Sequence, residues 1–254
     1  MWKKVWGCSG REAYLSNPLS RFLNNCRIFA QNHLPQDCLL CGRRVIGRQL
    51  CVACADELPA LPRPRCRQCA LPLPHHDPAG PLICGQCLKR PRAFDRTVAV
   101  YAYAAPLDGL VKRCKYGGDL GVSDGFAIAL ARELAEEPMP DLILPMPLHD
   151  RRLAERGFNQ AVEIARRLAP RLNVPWTAFG CERTRDTPPQ AGLDLKARRR
   201  NLRGAFVCEL ELRGKRVALL DDVMTSGASL DELAKAARRA GAVEVSAWVV
   251  ARTL

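Results

Sequence analysis

The chain of 254 residues is 48% hydrophobic and 26% charged, enough apolar material for a sizeable core, so disorder is not its default state; its length suits one medium domain beside a small one. Thirty-nine Lys and Arg against 26 Asp and Glu leave a formal charge of +13, a balance that favours polyanionic partners. Thirteen cysteines, an odd number with eight of them in four Cys-x2-Cys pairs, argue against a secreted disulfide scaffold and for metal thiolates in a reducing cytoplasm.

Residues 1–34 hold two lysines near the start and no apolar run of signal-peptide length, and no run elsewhere approaches a membrane span. A soluble, cytoplasmic protein is the expectation. Leu19, Phe22, Leu23, Cys26 and Phe29 fall roughly at helical spacing, so 1–34 is read as a leader segment with an amphipathic helix and no chemistry of its own.

Residues 35–92 change character, with paired cysteines, frequent prolines and few long apolar runs, a composition that needs a staple. Cys38-x2-Cys41-x9-Cys51-x2-Cys54 and Cys66-x2-Cys69-x14-Cys84-x2-Cys87 form a repeated tetrad, and each Cys-x2-Cys knuckle presents two thiolates to one tetrahedral zinc. Sequential pairing makes a double zinc ribbon and is the preferred arrangement; the linkers also permit alternating, cross-braced pairing. Four thiolates leave no open coordination position, so both zincs would be structural, and they would lower the formal charge to about +9. Cys8, Cys26, Cys114, Cys181 and Cys208 have no paired partner in the pattern; His75 or His76 is an alternative ligand.

From Phe94 onward, strands and helices alternate. TVAVYAY reads as a strand, Leu107, Leu110, Val111 and Cys114 as one face of a helix, and 123–137 and 158–169 as further helices. Leu142–Leu144, Val217–Leu220 and Val243–Val250 read as buried strands, so 94–254 is expected to be one α/β domain with a mostly parallel sheet flanked by helices.

The strongest signal is KRVALLDDVMTSGASLDELAKAARRAGA: an apolar strand, two acids, a small polar loop, then a helix with Leu230, Leu233, Ala234 and Ala237 as its stripe. Ser229 and Glu232 have capping-box spacing, and Gly241 marks the helix end. A loop leading from a parallel strand into a helix N-terminus offers free N–H groups and the positive dipole end to an anion. Thr225, Ser226 and Ser229 add hydroxyls and Gly227 permits close approach, while Asp221 and Asp222 suit ribose hydroxyls better than phosphate. Together they describe a site for a phosphorylated sugar. Neither a Walker loop nor a dinucleotide G-x-G-x-x-G occurs.

Three segments support it. PLHDRRLAERGFNQ delivers Arg151, Arg152 and Arg156 after a strand and ahead of a helix near Phe158, in place to pair with pyrophosphate. Residues 182–204 read as a long lid-like loop carrying Arg183, Arg185, Gln190 and Arg199. Lys112, Lys115 and Tyr116 end a helix before two glycines.

The loop resembles the phosphoribosyl pyrophosphate signature of type I phosphoribosyltransferases. That resemblance implies that Asp221 and Asp222 hold the ribose 2′ and 3′ hydroxyls and that Val223, Met224, Thr225, Ser226, Gly227, Ala228 and Ser229 wrap the 5′-phosphate. Mg²⁺ would bridge the pyrophosphate, with Arg151, Arg152 and Lys115 as further phosphate contacts and Arg185 joining the acids in catalysis. The order of Cys-rich module, KYGGD, PLHDRRLAERGFNQ, RTRDTPPQAGL and LDDVMTSGAS is similar to the competence protein F family (ComF and GntX-like members) over nearly all of the chain after residue 34. This implies a phosphoribosyltransferase-like domain behind a zinc module, acting in DNA uptake or use of imported DNA. Turnover and its acceptor are not readable. A non-catalytic adaptor for single-stranded DNA, or a module docking a helicase or channel protein of the uptake machinery, stands beside catalysis. Aromatic residues are only 6%, so a DNA-binding face would depend on charge more than on stacking.

Overall fold

The computed structural model describes residues 35–47, 49–73, 75, 80–116, 121–185 and 202–254. The leader segment, Gln190 and Arg199 lie outside them, as does His76. The chain divides between Asp56 and Glu57 into two compact units, which places the second cysteine tetrad in the same unit as the α/β sheet.

In the first unit, β1 (Pro35–Asp37) and β2 (Arg44–Ile46) pair antiparallel with Gln36 opposite Val45, and α1 (Val52–Asp56) follows. The turn between the strands is the first knuckle. Cys38 N–H donates to the Arg43 carbonyl at 2.8 Å, and Gly42, at φ 71°, supplies the left-handed residue that the turn requires. The second knuckle repeats the hydrogen bond, Cys66 N–H to the Leu71 carbonyl at 2.7 Å, but Ala70 takes the left-handed position at φ 58°. A Cβ there costs roughly 1–2 kcal/mol, which burial of Ala70 in the main core offsets.

The second unit is built on a four-stranded sheet of β3 (Arg96–Ala102), β4 (Leu142–Pro145), β7 (Arg216–Met224) and β8 (Glu244–Arg252) in the order β3-β8-β7-β4. Every pairing in it is parallel, as the alternation of strand and helix requires. The central strands β7 and β8 are the most apolar because both their faces are covered. Val217 and Leu219 share a core with Val245, Ala247 and Val249 and with the stripe of α7 (Ala228–Arg239). Each such side chain contributes about 1.5–3 kcal/mol on burial. On the rest of the sheet pack α4 (Val122–Glu133) and α6 (Gln160–Leu172), which touch each other, with α3 (Leu107–Tyr116) beside α4. The outer edge of β3 is protected by residues 59–61, through Leu61 N–H to the Val100 carbonyl and Ala102 N–H to the Pro59 carbonyl.

Two expectations are corrected here. The basic segment after β4 is more than a lead-in to a helix near Phe158, because Asp150–Arg156 forms its own helix, α5, capped by the His149 side chain and closed by left-handed Gly157. The next helix starts at Gln160 with Asn159 as cap. Cys181 and Cys208 do have a partner: β5 (Cys181–Arg183) and β6 (Phe206–Cys208) pair antiparallel with these two residues opposite each other, Cα atoms 4.1 Å apart, joined as a disulfide. A pair 27 positions apart has no spacing signature; only strand register brings it together. The short helix α2 (Gly85–Lys89) carries the last cysteine of the second tetrad.

Candidate functional site

β7 runs on through the acid pair and ends at Met224, so Asp221 and Asp222 stand at the carboxyl end of a central strand. Asp222 is 4% exposed, while Asp221 keeps some access to solvent. Backbone N–H groups hold both carboxylates in place: Asp222 N–H donates to Asp221 Oδ1 at 2.9 Å and Val223 N–H to Asp222 Oδ1 at 2.8 Å. The chain then crosses Thr225 and Ser226 to Gly227 at φ 73°, a conformation that a side chain would strain, and enters α7.

The capping-box expectation fails at this point. The helix begins at Ala228 with Gly227 as its cap, two residues before Ser229. Glu232 instead accepts from Gly204 N–H at 3.0 Å and pairs with Lys235. The helix ladder opens with Asp231 N–H to the Gly227 carbonyl at 2.9 Å, and the N–H groups of Ser229 and Leu230 precede it. Ser226 Oγ accepts from Ala228 N–H at 3.4 Å. Asp221 and residues 223–230 line an open cleft whose wall is polar. Met224 is among them, though it is almost fully buried.

Lys115, in the last turn of α3, reaches Asp222 Oδ2 at 2.9 Å. Burial would push its ammonium toward neutrality, but the Asp222 and Asp221 carboxylates outweigh that and hold its pKa above the ordinary lysine value. Asp221 is pushed up to about 8, first by burial and then by the neighbouring Asp222 carboxylate, against the pull of Lys115. Asp221 can therefore hold a proton near neutrality.

The other expected site residues are less concentrated. Arg151 lies on the exposed side of α5, paired with Glu155 at 3.0 Å; Arg152 is half-buried on the same helix. Arg156 stacks on the exposed ring of Tyr116, 5.4 Å from its centroid, and donates to Gln160 at 2.7 Å. Arg185 is exposed just past β5, and Arg183 lies over the Phe206 ring. Lys112 pairs with Asp108 one turn back.

The sequence reading missed two arginines that touch the loop. Arg252, at the end of β8, donates to the Met224 carbonyl at 3.1 Å and also to the Thr225 carbonyl; Arg92 donates to the Ser226 carbonyl at 3.0 Å. A charge closing an otherwise apolar strand was the available signal for Arg252. Nothing local marks Arg92.

The tetrads pair sequentially. Cys38, Cys41, Cys51 and Cys54 form one cluster and Cys66, Cys69, Cys84 and Cys87 the other, with the sulfurs of each within 4.8 Å of one another. Adjacent sulfurs at 3.7 Å (Cys41 and Cys51) and 3.6 Å (Cys69 and Cys84) fit the edge of about 3.8 Å of a tetrahedron with zinc–sulfur bonds of ~2.3 Å. Backbone N–H groups face the sulfurs, Cys51 N–H to Cys38 and Cys84 N–H to Cys66. The Cys69 thiol and then the N–H groups of Cys84 and Cys69 hold Cys66 down at about 4, against its burial. The donor sets thus suit two closed, structural zinc sites. Among the described residues no helix is long and apolar enough to cross a membrane.

Residues 30–88 match the family model described as a double zinc ribbon domain. DNA utilization protein YhgH of Escherichia coli O157:H7 is 36% identical over 195 residues, covering 74% of this chain and 84% of the relative. Competence protein F of Haemophilus influenzae is 32% identical over 212 residues, covering 80% and 90%. Among solved structures, the purine phosphoribosyltransferase from Pyrococcus horikoshii Ot3 superposes with a TM-score of 0.33 at 20% identity over 51% of this chain and 82% of that one, a likeness too low to speak to this chain's chemistry. With identity above 30% along most of its length, a double zinc ribbon and an α/β sheet behind it, the chain belongs to the family of competence protein F and DNA utilization protein YhgH.

Proposed function

We propose that the loop from Asp221 to Ser229 binds the ribose 5-phosphate of phosphoribosyl pyrophosphate, in a protein that acts in the uptake or use of DNA. The observation that carries this reading is the sequence of chemistries along one short stretch. Two carboxylates, paired with Lys115, precede a polar cleft bounded by hydroxyls and open N–H groups at a helix N-terminus. Carboxylates accept from ribose hydroxyls, and N–H groups with a helix dipole receive a phosphate dianion. Lys115, which pairs with Asp222 at 2.9 Å, would also meet the pyrophosphate. Mg²⁺ would come with the pyrophosphate oxygens and neutralise part of their charge. Arg151, Arg152 and Arg185 belong to the proposed site as contacts made on ligand binding. The DNA role is supported by the names of the two relatives.

If pyrophosphate is displaced from the ribose, the acid pair would steady the sugar through its hydroxyls and the loop would hold the phosphate as the anchor. The charge of +13 favours a second reading, a salt-sensitive contact with single-stranded DNA on the surface of the same protein. Calorimetric titration of phosphoribosyl pyrophosphate with Mg²⁺ into the zinc-loaded chain and into Asp221→Asn/Asp222→Asn tests the first. Binding by the wild type and loss of at least tenfold in the variant is expected. Equal binding by both, or none by the wild type, refutes the sugar-phosphate site.

A further inference from the structure

Arg252 is 5% exposed, yet its guanidinium keeps its charge at any physiological pH. Its acceptors are all backbone carbonyls: Cys69 from Nε at 2.8 Å, and Met224 at 3.1 Å, Thr253 at 2.5 Å and Thr225 from one terminal nitrogen. Among the described residues no Asp or Glu pairs with it. A buried cation without a carboxylate is costly unless another anion lies nearby. The nearby anion is the second cysteine tetrad, whose Cys69 carbonyl Arg252 Nε holds at 2.8 Å. Zinc with four thiolates carries a net charge of about −2, so the metal-loaded ribbon is the counter-ion that this guanidinium lacks.

The same guanidinium grips the phosphate loop from behind. In a trans peptide the carbonyl of one residue and the N–H of the next point in opposite directions. With the Met224 and Thr225 carbonyls held by Arg252 and the Ser226 carbonyl held by Arg92, the N–H groups of Thr225, Ser226 and Gly227 face away from the two guanidiniums. Successive N–H groups turned to one side make an anion-binding concavity. Further ties join the same segments: Ala93 N–H donates to Asp231 at 2.7 Å, and the Phe94 ring lies below Gly227.

We propose that Arg252 is a positioning residue that couples the second zinc site to the sugar-phosphate loop, so that zinc held by Cys66, Cys69, Cys84 and Cys87 sets the loop's affinity for its anion. The affinity part rests on the sugar-phosphate reading above; the coupling does not. The two ends of Arg252 do different jobs, since Nε holds the knuckle carbonyl and the terminal nitrogen holds the loop. Lysine keeps the charge but lacks the fork that bridges them.

The test is hydrogen exchange of the amides of residues 223–229 in the zinc-loaded full chain, with the amides of α6 as the folding control. It is run beside calorimetric titration of inorganic phosphate and of phosphoribosyl pyrophosphate with Mg²⁺. Arg252→Met is expected to speed exchange of the loop at least tenfold with α6 unchanged, and to weaken both ligands at least tenfold. Cys87→Ser, which opens the second zinc site, is expected to do the same, and Arg252→Lys to fall between. With cobalt(II) in the cysteine sites, phosphate should shift the thiolate–cobalt absorption bands in the wild type and not in Arg252→Met. Unchanged loop exchange in these variants, with ligand binding intact, overturns the coupling and leaves the sugar-phosphate reading standing. Altered exchange with no ligand bound by the wild type overturns that reading and the affinity part, and leaves the coupling. Should Arg252→Met not fold, Arg252→Lys and Cys87→Ser decide the matter by the same readouts.

Discussion

Replacing Lys115 by Met removes the cation that sits 2.9 Å from Asp222 and leaves two adjacent carboxylates at the end of β7 without it. Stripping one partner from a buried ion pair costs about 3–5 kcal/mol, because the remaining charge is left desolvated. Asp221 has a partial escape, which is to hold a proton. In the wild type Asp221 is already raised, to about 8 against an ordinary 3.8, so between those values the folded chain binds more protons than the unfolded one. Stability then falls as pH rises through that window. Lys115, raised above its ordinary value, contributes stability below about pH 10 that is lost as pH climbs through its folded pKa. Without Lys115, Asp221 holds its proton more tightly still, so the slope steepens. The loss in Lys115→Met should be about 3–5 kcal/mol at pH 8 and about half that at pH 5, where Asp221 is neutral and one carboxylate, not two, loses the cation. Urea unfolding of the zinc-loaded chain followed by tryptophan fluorescence reads this directly, since Trp248 is fully buried on β8 opposite Leu220. Lys115→Met/Asp222→Asn should recover at least half of the loss at pH 8. Equal losses at pH 5 and pH 8, together with a double variant as unstable as the sum of the singles, would refute the reasoning from a raised Asp221.

Gly241 closes α7 at φ 105°, and a Cβ there would stand 2.8 Å from the Arg213 Cα and 2.9 Å from its nitrogen. Gly241→Ala should therefore cost about 3 kcal/mol or more, against about 1 kcal/mol for Gly214→Ala, where φ is 74° but the space is open; equal urea midpoints for the two would contradict the backbone clash. Two zinc ions per chain are expected by elemental analysis, falling to one in Cys41→Ser or in Cys66→Ser, and chelation should lower the melting temperature. Retention of both ions in either variant would contradict two separate four-thiolate sites.

Local chemistry made much of this protein legible in one dimension. The cysteine tetrads announce themselves because a knuckle is a sequence-local device, and the strand–acid–acid–loop–helix run announces a cleft because each part is a neighbour of the next. Apolar periodicity located β3, β4, β7, β8 and the helices α3, α4, α6 and α7, since buried faces leave a regular apolar pattern. The helix start was misread because Ser229 and Glu232 satisfy a spacing rule, whereas the backbone chose Gly227, the residue that tolerates positive φ. The surroundings of the α5 arginines were hidden for a similar reason. Sequence shows that Arg151 follows a strand, but not that Glu155, one turn on, pairs with its side chain.

What the sequence determined by itself, then, is the composition of each local unit: the metal ligands, the alternation that makes a parallel sheet, and the loop with its acids. What only the tertiary structure decided is which distant groups meet. Lys115 comes to Asp222 from a separate helix, Cys181 meets Cys208 by strand register, and the knuckle carbonyl of Cys69 meets the loop after β7 through Arg252, 183 positions further along the chain. Packing sets such encounters, because charge and hydrogen bonding act over a few ångströms of space regardless of separation along the backbone.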